Sequence, residues 1–479
     1  MPDALEGEVR ARLSKNESPM TIRNGLLEKG FSEDAINEAL KEAAPKHLDD
    51  RDATDKRNSR VFAARDLLDR IGYGASAPQF INVFFAFTGA GLFLVGLFNA
   101  LRAVISMLFT TVLQEYAKVH KVSRSTIGGM GVLFGFSFLL MAFAIRARFV
   151  WLFAFAILLA GAGVVTYGDL YNKFVLETLR REKMGGFLRK MGQYGVLLTM
   201  VAMLVSGWLI DRFPETGAKV TLSLFGASFA VTPIGYLLAF EITAFAFILS
   251  GYLLSFVTEQ REERSYPLGK FIKEHYVSLR GHWRGFFHHR YVCLLLIATA
   301  IAGILETLAA SYYGIYLYRE FSNEWLGPVL NVAVVFSIAI LASFLGPWFT
   351  KKVQRAIGFS PMLVFGTLLT AILPFTFVVN THLAAIAAAA ACSVLGAAMV
   401  GYAQGLLARK LMDEETRKRY YLSLGFLLAI PYLVLVPLGA WAAQLLGMRA
   451  LFLIVGLGLV IVVTPLYFVL VAMANKERL

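Results

Sequence analysis

The sequence predicts an all-α, polytopic membrane protein, and two observations support this fold class. The 479 residues are 57% hydrophobic and 16% charged, with a mean hydropathy of +0.62, which exceeds what a soluble domain of this size shows. Apolar stretches of about 20 residues, enough for a helix to cross a hydrocarbon layer of about 30 Å, recur between residues 78 and 475. The period-2 alternation of a membrane β-barrel is not seen, so the spans are predicted to be helices.

The N-terminal 77 residues are predicted to lie outside the membrane, because they contain no apolar segment of a cleaved signal peptide. Residues 1–45 are predicted to form a small cytoplasmic helical module. Residues 46–77 are predicted to form a charged linker and an amphipathic helix that lies at the membrane interface. The apolar face of that helix is formed by Val61, Ala64, Leu68 and Ile71.

The apolar stretches divide into two bundles on either side of a polar, basic central loop at 258–290. Residues 291–475 contain six stretches long enough to span. Residues 78–257 contain four clear spans and an ambiguous segment at 78–117, which is either one long tilted helix or two short ones joined near Asn99. Two spans are favoured, giving two six-helix bundles and about 12 transmembrane helices, because the basic loops at 118–124 and 179–190 then lie on the same side.

Basic residues cluster in alternate loops of the C-terminal half. Residues 351–355 contain three and residues 409–419 contain five, whereas the intervening loops contain one or none. This positive-inside asymmetry places both termini in the cytoplasm of a multi-pass cell-membrane protein. The net charge of +13 is therefore attributed to topology, and no nucleic-acid partner is expected.

Several classes of enzyme and metal protein are disfavoured. Cys293 and Cys392 both lie in apolar segments, so no disulfide framework is expected. All seven histidines lie outside the spans or at their edges, and there is no Walker-type or nucleophile-elbow motif. We expect no enzyme activity, no cofactor and no metal site.

An internal repeat relates the two halves. Residues 179–198 and 411–429 each pass from an apolar span through a charged turn to an aromatic and glycine-containing entry into the next span. With the basic central loop and six spans on each side, the chain resembles the major facilitator superfamily of secondary transporters. Residues 158–183 are similar to that family's glycine-rich fourth helix. The family's signature turn is met poorly after Gly346, where Thr350 and Val353 replace the expected Asp and Gly.

The resemblance implies transport of a small solute by alternating access, coupled to a proton or cation gradient, by a monomer surrounded by membrane lipids. Two alternatives stay open. One is a scaffold or sensor that does not transport and whose N-terminal module binds a partner. The other is a lipid translocase with a cavity that opens sideways to the bilayer.

Polar residues inside the spans are the candidate site residues, since a charge at bilayer depth costs at least about 2.5 kcal/mol unless it faces protein or water. Glu306 lies near the middle of the seventh span, where the resemblance implies a helix that lines the central cavity. It is interpreted either as a proton-coupling carboxylate or as a buried structural residue. Tyr313, seven positions on, can share its face, and Gln404 is a supplementary ligand candidate.

The remaining candidates are basic or form a charged stripe. Arg102 either binds an anion or pairs with Glu306, or extends towards the membrane surface, depending on how 78–117 folds. Asp169, Lys173 and Glu177 are spaced i, i+4, i+8 on the fourth span, so neighbours can neutralise each other. They form either a cavity wall or a cytoplasmic helix extension.

Small-residue faces are predicted to pack helices closely. They are formed by the glycines at 128, 129, 131, 135, 161 and 163.

Overall fold

The structure is a computed structural model of the 479-residue chain. It describes residues 5, 7–9, 11–12, 19–120, 122–179, 181–215, 220–224, 227–231, 234–258, 270–271, 273, 290–322, 324–379 and 382–476. The predicted central loop at 258–290 therefore lies largely outside the described residues, as does a smaller part of the module at 1–45.

The described chain is almost entirely helical. Its helices are α1 (Pro19–Leu27), α2 (Glu33–Ala75), α3 (Pro78–Phe87), α4 (Leu92–Val119), α5 (Arg124–Arg146), α6 (Val150–Thr178), α7 (Arg181–Arg212), α8 (Gly235–Leu253), α9 (Arg290–Glu320), α10 (Pro328–Ile357), α11 (Phe359–Val379), α12 (Leu383–Leu411), α13 (Glu414–Leu446), α14 (Met448–Leu457) and α15 (Thr464–Lys476). Strands β1 (Val220–Leu224) and β2 (Ala227–Val231) form one antiparallel hairpin between α7 and α8.

Ten segments among the described residues are long and apolar enough to cross a membrane, and two shorter apolar helices lie at Pro78–Phe87 and Val150–Val164. The ten correspond to α4, α5, α7 to α13, and the combined α14 and α15, which a π-helical turn at Gly458–Val463 joins. This confirms an integral membrane protein.

The N-terminal region has a small apolar core of its own. Leu5, Val9, Ile22, Leu26 and Ile36 are buried together around α1 and the start of α2. Helix α1 begins at Pro19, a residue suited to the first turn, and Ser32 accepts a hydrogen bond from the Ala35 N–H at the start of α2. Both Lys29 and Arg12 form ion pairs with Glu8.

The segment predicted to be an interfacial helix instead belongs to the 43-residue helix α2, whose later part packs against α7 and α8. The charged side chains Arg65 and Asp69 are buried, whereas Ala64 is exposed. Charged side chains of this segment are thus turned into the bundle, which a helix lying on a membrane surface would keep in water. The helix runs through this segment without a break because residues 46–71 contain neither glycine nor proline.

The ambiguous segment contains two helices, but the turn between them is not near Asn99. It lies at residues 88–91, where Gly89 adopts a φ of 97° that favours glycine. Asn99 is buried within α4 and donates hydrogen bonds to the carbonyl of Val95 (2.9 Å) and to Asn82 Oδ1 (3.0 Å). Its polar side chain therefore ties α4 to α3 and marks no turn.

Two sets of helices are recognisable from their contacts. In the N-terminal half α5 packs on α6 and α8, and α2 packs on α7 and α8; in the C-terminal half α12 packs on α10 and α11. The halves meet where α4 packs along α13 and where α7 packs on α10. We call the end of the helices that carries the loops at 118–124, 179–190, 351–355 and 409–419 the basic end, and the other the opposite end.

Candidate functional site

A cavity of about 440 Å³ lies between the two halves, near the middle of the spans. The N-terminal half contributes Tyr73, Pro78 and Gln79 from the junction of α2 and α3, and also residues of α7. The C-terminal half contributes residues of α9, α10, α11, α12 and the last span. Helix α2 ends just before this point, because Pro78, the first residue of α3, cannot continue the helical hydrogen bonding of α2.

Glu306 lines this cavity from the middle of α9. Among the described residues, no cation lies within ion-pair distance of its carboxyl group, and no side chain or backbone N–H donates a hydrogen bond to it. A carboxyl group in an apolar setting without such a partner is costly to keep charged. The placement fits exchange of a proton or binding of a cationic group.

Aromatic residues surround Glu306. Tyr313 also lines the cavity, as the spacing predicts, and its ring is stacked on Phe377 at 5.0 Å and on Phe452 at 5.3 Å between ring centroids. Tyr432 of α13 and Tyr467 of α15 also lie close enough to interact electrostatically with the Glu306 carboxyl group. The stacking on Phe377 and Phe452 fixes the position of the Tyr313 ring.

Gln404 does not line the cavity. Its amide nitrogen donates a hydrogen bond to the hydroxyl of Tyr467, which is buried. It therefore contacts the surroundings of Glu306 only through this tyrosine.

Arg102 lies about 15 Å along α4 from its first residue, and so at depth even though 78–117 forms two helices. Its side chain packs against Gly161 of α6, where an added Cβ would come within 2.6 Å of Arg102 Cγ. It does not line the cavity, and among the described residues its guanidinium forms no ion pair with Glu306. The expected pairing of Arg102 with Glu306 is therefore not present.

The charged stripe on α6 lies at the basic end, away from the cavity. Lys173 Nζ lies 3.3 Å from Glu177 Oε1 and donates to the carbonyl of His120 at 3.1 Å. The pairing at i, i+4 is as expected. The side chain of Asp169 lies outside the described part of the structure.

A buried ion pair within the N-terminal half was not anticipated from the sequence. Arg65 Nη2 lies 2.7 Å from Asp69 Oδ2, and Tyr167 of α6 donates a hydrogen bond to Asp69 Oδ1 at 3.0 Å. Ser250 of α8 also donates to Asp69, and the Arg65 guanidinium lies 3.3 Å from the centroid of the Tyr171 ring. The i, i+4 spacing of Arg65 and Asp69 was a usable signal, because such a pair can neutralise itself inside a helix bundle.

A second unanticipated residue, Asp211, links the two halves at the opposite end. Its carboxylate accepts hydrogen bonds from the N–H groups of Val329 (3.1 Å) and Leu330 (2.7 Å) at the first turn of α10. A carboxylate at a helix N-terminus satisfies free N–H groups and interacts favourably with the helix dipole. Nearby, Phe87 and Tyr318 pack with their ring centroids 4.9 Å apart.

The fold is similar to those of solved membrane transporters. A mutant of the nucleoside transporter NupG superimposes with a TM-score of 0.66 at 9% identity, covering 86% of this chain and 99% of that chain. A bacterial homologue of the iron transporter ferroportin in its inward-facing state gives 0.63 at 16% identity, covering 87% and 99%. A bacterial homologue of the drug and peptide transporters PepT1 and PepT2 gives 0.59 at 14% identity, covering 88% and 99%. The sequence matches no family model and no curated protein.

Proposed function

We propose that this chain, which has the fold of the major facilitator superfamily of transporters, moves a small solute across a membrane by alternating access. In this proposal the end of α2 and α3 together form the first of twelve spans, and α6 forms the fourth. The spans make two six-helix bundles, the first ending near residue 257 and the second covering residues 291–475. Both bundles and the cavity between them are formed by one chain, which is consistent with a monomer.

The basic end is proposed to face the cytoplasm of the cell, since it carries the lysine-rich and arginine-rich loops. Both termini would lie there, with the module at 1–45 outside the bilayer. Contacts between Asp211 and α10, and between Phe87 and Tyr318, hold the halves together at the opposite end. Such an arrangement corresponds to a state closed towards the outside.

The observation that carries the proposal is Glu306, a carboxyl group without an ion-pair partner among the described residues, in a cavity lined by both halves. Rocking of the halves would expose it to each side of the membrane in turn. We propose that Glu306 couples transport to a proton or cation. Tyr313 would shape the binding site, and Gln404 would support it through Tyr467. We assign no part in coupling to Arg102, Lys173 or Glu177, because these residues do not line the cavity.

Alternating access can be tested without knowing the substrate. Ala397 lines the cavity from α12 and is exposed to it. In a variant with Cys293→Ser, Cys392→Ser and Ala397→Cys, we expect a membrane-impermeant maleimide to label the new cysteine in both right-side-out and inverted vesicles. The reason is that each molecule would open its cavity to each side in turn.

The matched control is Phe245→Cys in the same background, because Phe245 is 69% exposed on α8 among apolar side chains that face lipid. We expect it to resist the hydrophilic reagent in both kinds of vesicle. Labelling of Ala397→Cys from one side only, or from neither, would refute alternating access and favour a scaffold or sensor.

A further inference from the structure

The substrate class can be narrowed from the charges that line the cavity. Glu306 is the single acidic side chain among the described residues of the lining, which include no Asp, Lys, Arg or His. When the Glu306 carboxyl group is ionised, a ligand that fills the cavity must offer positive charge, or leave the carboxylate without a counterion in an apolar setting. The lining alone thus disfavours anions, which would meet a carboxylate of the same sign.

The rest of the lining fits an apolar and aromatic body. Tyr73, Tyr313 and Phe336 present ring surfaces, and most other lining residues are aliphatic, such as Met203 and Val455. Ring faces attract cations, and they do so more strongly where water is excluded. The hydroxyls of Thr370 and Ser393 add polarity, but both donate to backbone carbonyls of the helices.

The volume of the cavity suits a small organic molecule, and the side chains of its described lining disfavour divalent metal ions and zwitterions as substrates. A cavity of about 440 Å³ falls in the range of roughly 300–1,000 Å³ typical of small organic ligands. Divalent metal ions need several carboxylate, imidazole or thiolate ligands, and the described residues contain no group of three. A zwitterion needs a cation for its carboxylate, and the described lining offers none.

We propose that the cavity binds monovalent organic cations with an apolar, partly aromatic body, and that the cation and a proton compete for the carboxylate of Glu306. This inference rests on the proposed transport function and names its substrate class. The other titratable groups near Glu306 are hydroxyls: Tyr313 on its own helix, Tyr432 on α13 and Tyr467 on α15. Because one carboxylate serves both ligands, a bound cation must leave before the proton enters, which makes the cycle an exchange.

Binding of radiolabelled 1-methyl-4-phenylpyridinium to the purified full-length protein tests this proposal. This compound carries a fixed positive charge on a flat aromatic body. We expect saturable binding that unlabelled tetraphenylphosphonium displaces and that two matched compounds do not, namely neutral 4-methylbiphenyl and anionic biphenyl-4-carboxylate. Binding should weaken as the pH is lowered from mildly alkaline to mildly acidic, because the probe itself does not titrate.

Three variants separate the role of the carboxylate from a loss of fold. We expect Glu306→Gln to weaken binding by roughly 30-fold or more, as for loss of one partner of a desolvated charge pair. Glu306→Asp should retain binding, and it should retain the pH dependence. The control Glu241→Gln removes an exposed carboxylate of α8 outside the cavity and should bind like the unaltered protein.

The outcomes also separate this inference from the transport function. If Ala397→Cys is labelled from both sides but the cation does not bind, or binds equally to Glu306→Gln, the substrate class is wrong and transport stands. If neutral 4-methylbiphenyl displaced the radiolabelled probe as strongly as tetraphenylphosphonium does, the proposal that the ligand needs a positive charge would also be overturned. If labelling from both sides is absent, the transport function itself fails.

Discussion

Two acidic residues inside the helical part of the protein differ in their partners. Asp69 accepts hydrogen bonds from Tyr167 and Ser250 and lies 2.7 Å from Arg65, so its charge is neutralised within the N-terminal half. Glu306 has no such neighbour among the described residues and faces the cavity. A fully satisfied buried ion pair holds helices together, whereas an unsatisfied carboxyl group is available to a ligand.

We predict that Asp69→Asn destabilises the protein strongly, because it leaves the Arg65 guanidinium buried without its main countercharge. Removing one partner of a buried ion pair costs about 3–5 kcal/mol. The free energy of unfolding in detergent, measured by denaturant titration, should fall by about this amount. Because Ser250 and Tyr167 belong to α8 and α6, the loss should loosen three helices at once.

Asp66→Asn is the matched control, since Asp66 also lies 3.0 Å from Arg65 but its side chain is 19% exposed, against 6% for Asp69. We expect a clearly smaller loss of stability. The double variant Arg65→Met with Asp69→Leu should recover most of the stability, because it removes both buried charges. Equal losses for Asp66→Asn and Asp69→Asn would show that the ion pair is not the source of the effect.

Glu306 stood out in the sequence as a candidate site residue, whereas the buried position of Asp69 did not. The difference is in the residues that surround each of them in the sequence. A lone charge in a long apolar stretch stands out, as Glu306 does. Arg65 and Asp69 precede the first apolar stretch of twenty residues, and their segment contains enough charge to resemble a surface helix. Only the contacts of α2 with α7 and α8 show that its charged face is turned inward.

At the scale of helices, α5 and α8 approach closely through glycines, as the sequence predicts. The Gly128 and Gly251 backbones are so close that a Cβ at 251 would lie 2.6 Å from the Gly128 carbonyl oxygen. A Cβ at Gly135 would lie 2.7 Å from the carbonyl oxygen of Ala244. In lipid, where no hydrophobic force drives helices together, such close packing supplies much of the association energy.

We predict that Gly135→Ala separates α5 from α8 and lowers the unfolding temperature, because the new methyl group meets backbone atoms that cannot move by rotation of a side chain. Overpacking of this kind typically costs about 1–3 kcal/mol. Thermal unfolding followed by fluorescence in detergent measures the shift.

Gly129→Ala provides the control on the same helix, since a Cβ there meets nothing within 4 Å. Alanine is the better helix former, so this variant should be neutral or slightly stabilising. A loss of stability at 129 as large as at 135 would mean that helix propensity, and not the seam with α8, determines the result.

Helix boundaries were predicted less well than helix packing. The break at residues 88–91 depends on the positive φ of Gly89, and "TGAG" was available in the sequence as a turn signal. The turn was predicted near Asn99 instead. Inside the protein its amide finds partners in Val95 and Asn82, and tertiary hydrogen bonds override its local preference.

At the scale of the whole molecule, the number of spans, the charges of the loops and the internal repeat carried a resemblance to a transporter fold, and the observed fold is of that type. They did not predict the partner of each polar side chain. Arg102 and Glu306 are both ionisable and both lie far from the helix ends, yet one packs on Gly161 within the N-terminal half and the other faces the cavity. That distinction depends on which face each helix turns inward, and single charges in apolar stretches carry no such information.

A small number of polar contacts join the halves at the opposite end. The carboxylate of Asp211 at the end of α7 binds the N–H groups of Val329 and Leu330 at the start of α10. Tyr312 of α9 donates a hydrogen bond to the carbonyl of Leu92 at 2.8 Å, which joins the halves a second time. Movement of the halves apart at this end must break such bonds.

We predict that Asp211→Ala shifts the protein towards the state whose cavity opens at the opposite end, because the variant loses the acceptor that satisfies the first N–H groups of α10. Loss of an N-cap interaction costs about 0.5–2 kcal/mol, so the ratio of the two states should change by roughly 2- to 30-fold. Labelling of Ala397→Cys from the outside should become faster by that factor, and labelling from the cytoplasmic side slower. Glu215→Ala is the control, since Glu215 contacts Tyr236 and Arg148 within the N-terminal half. Unchanged rates in Asp211→Ala, or equal changes in the control, would show that closure at this end does not depend on the link between α7 and α10.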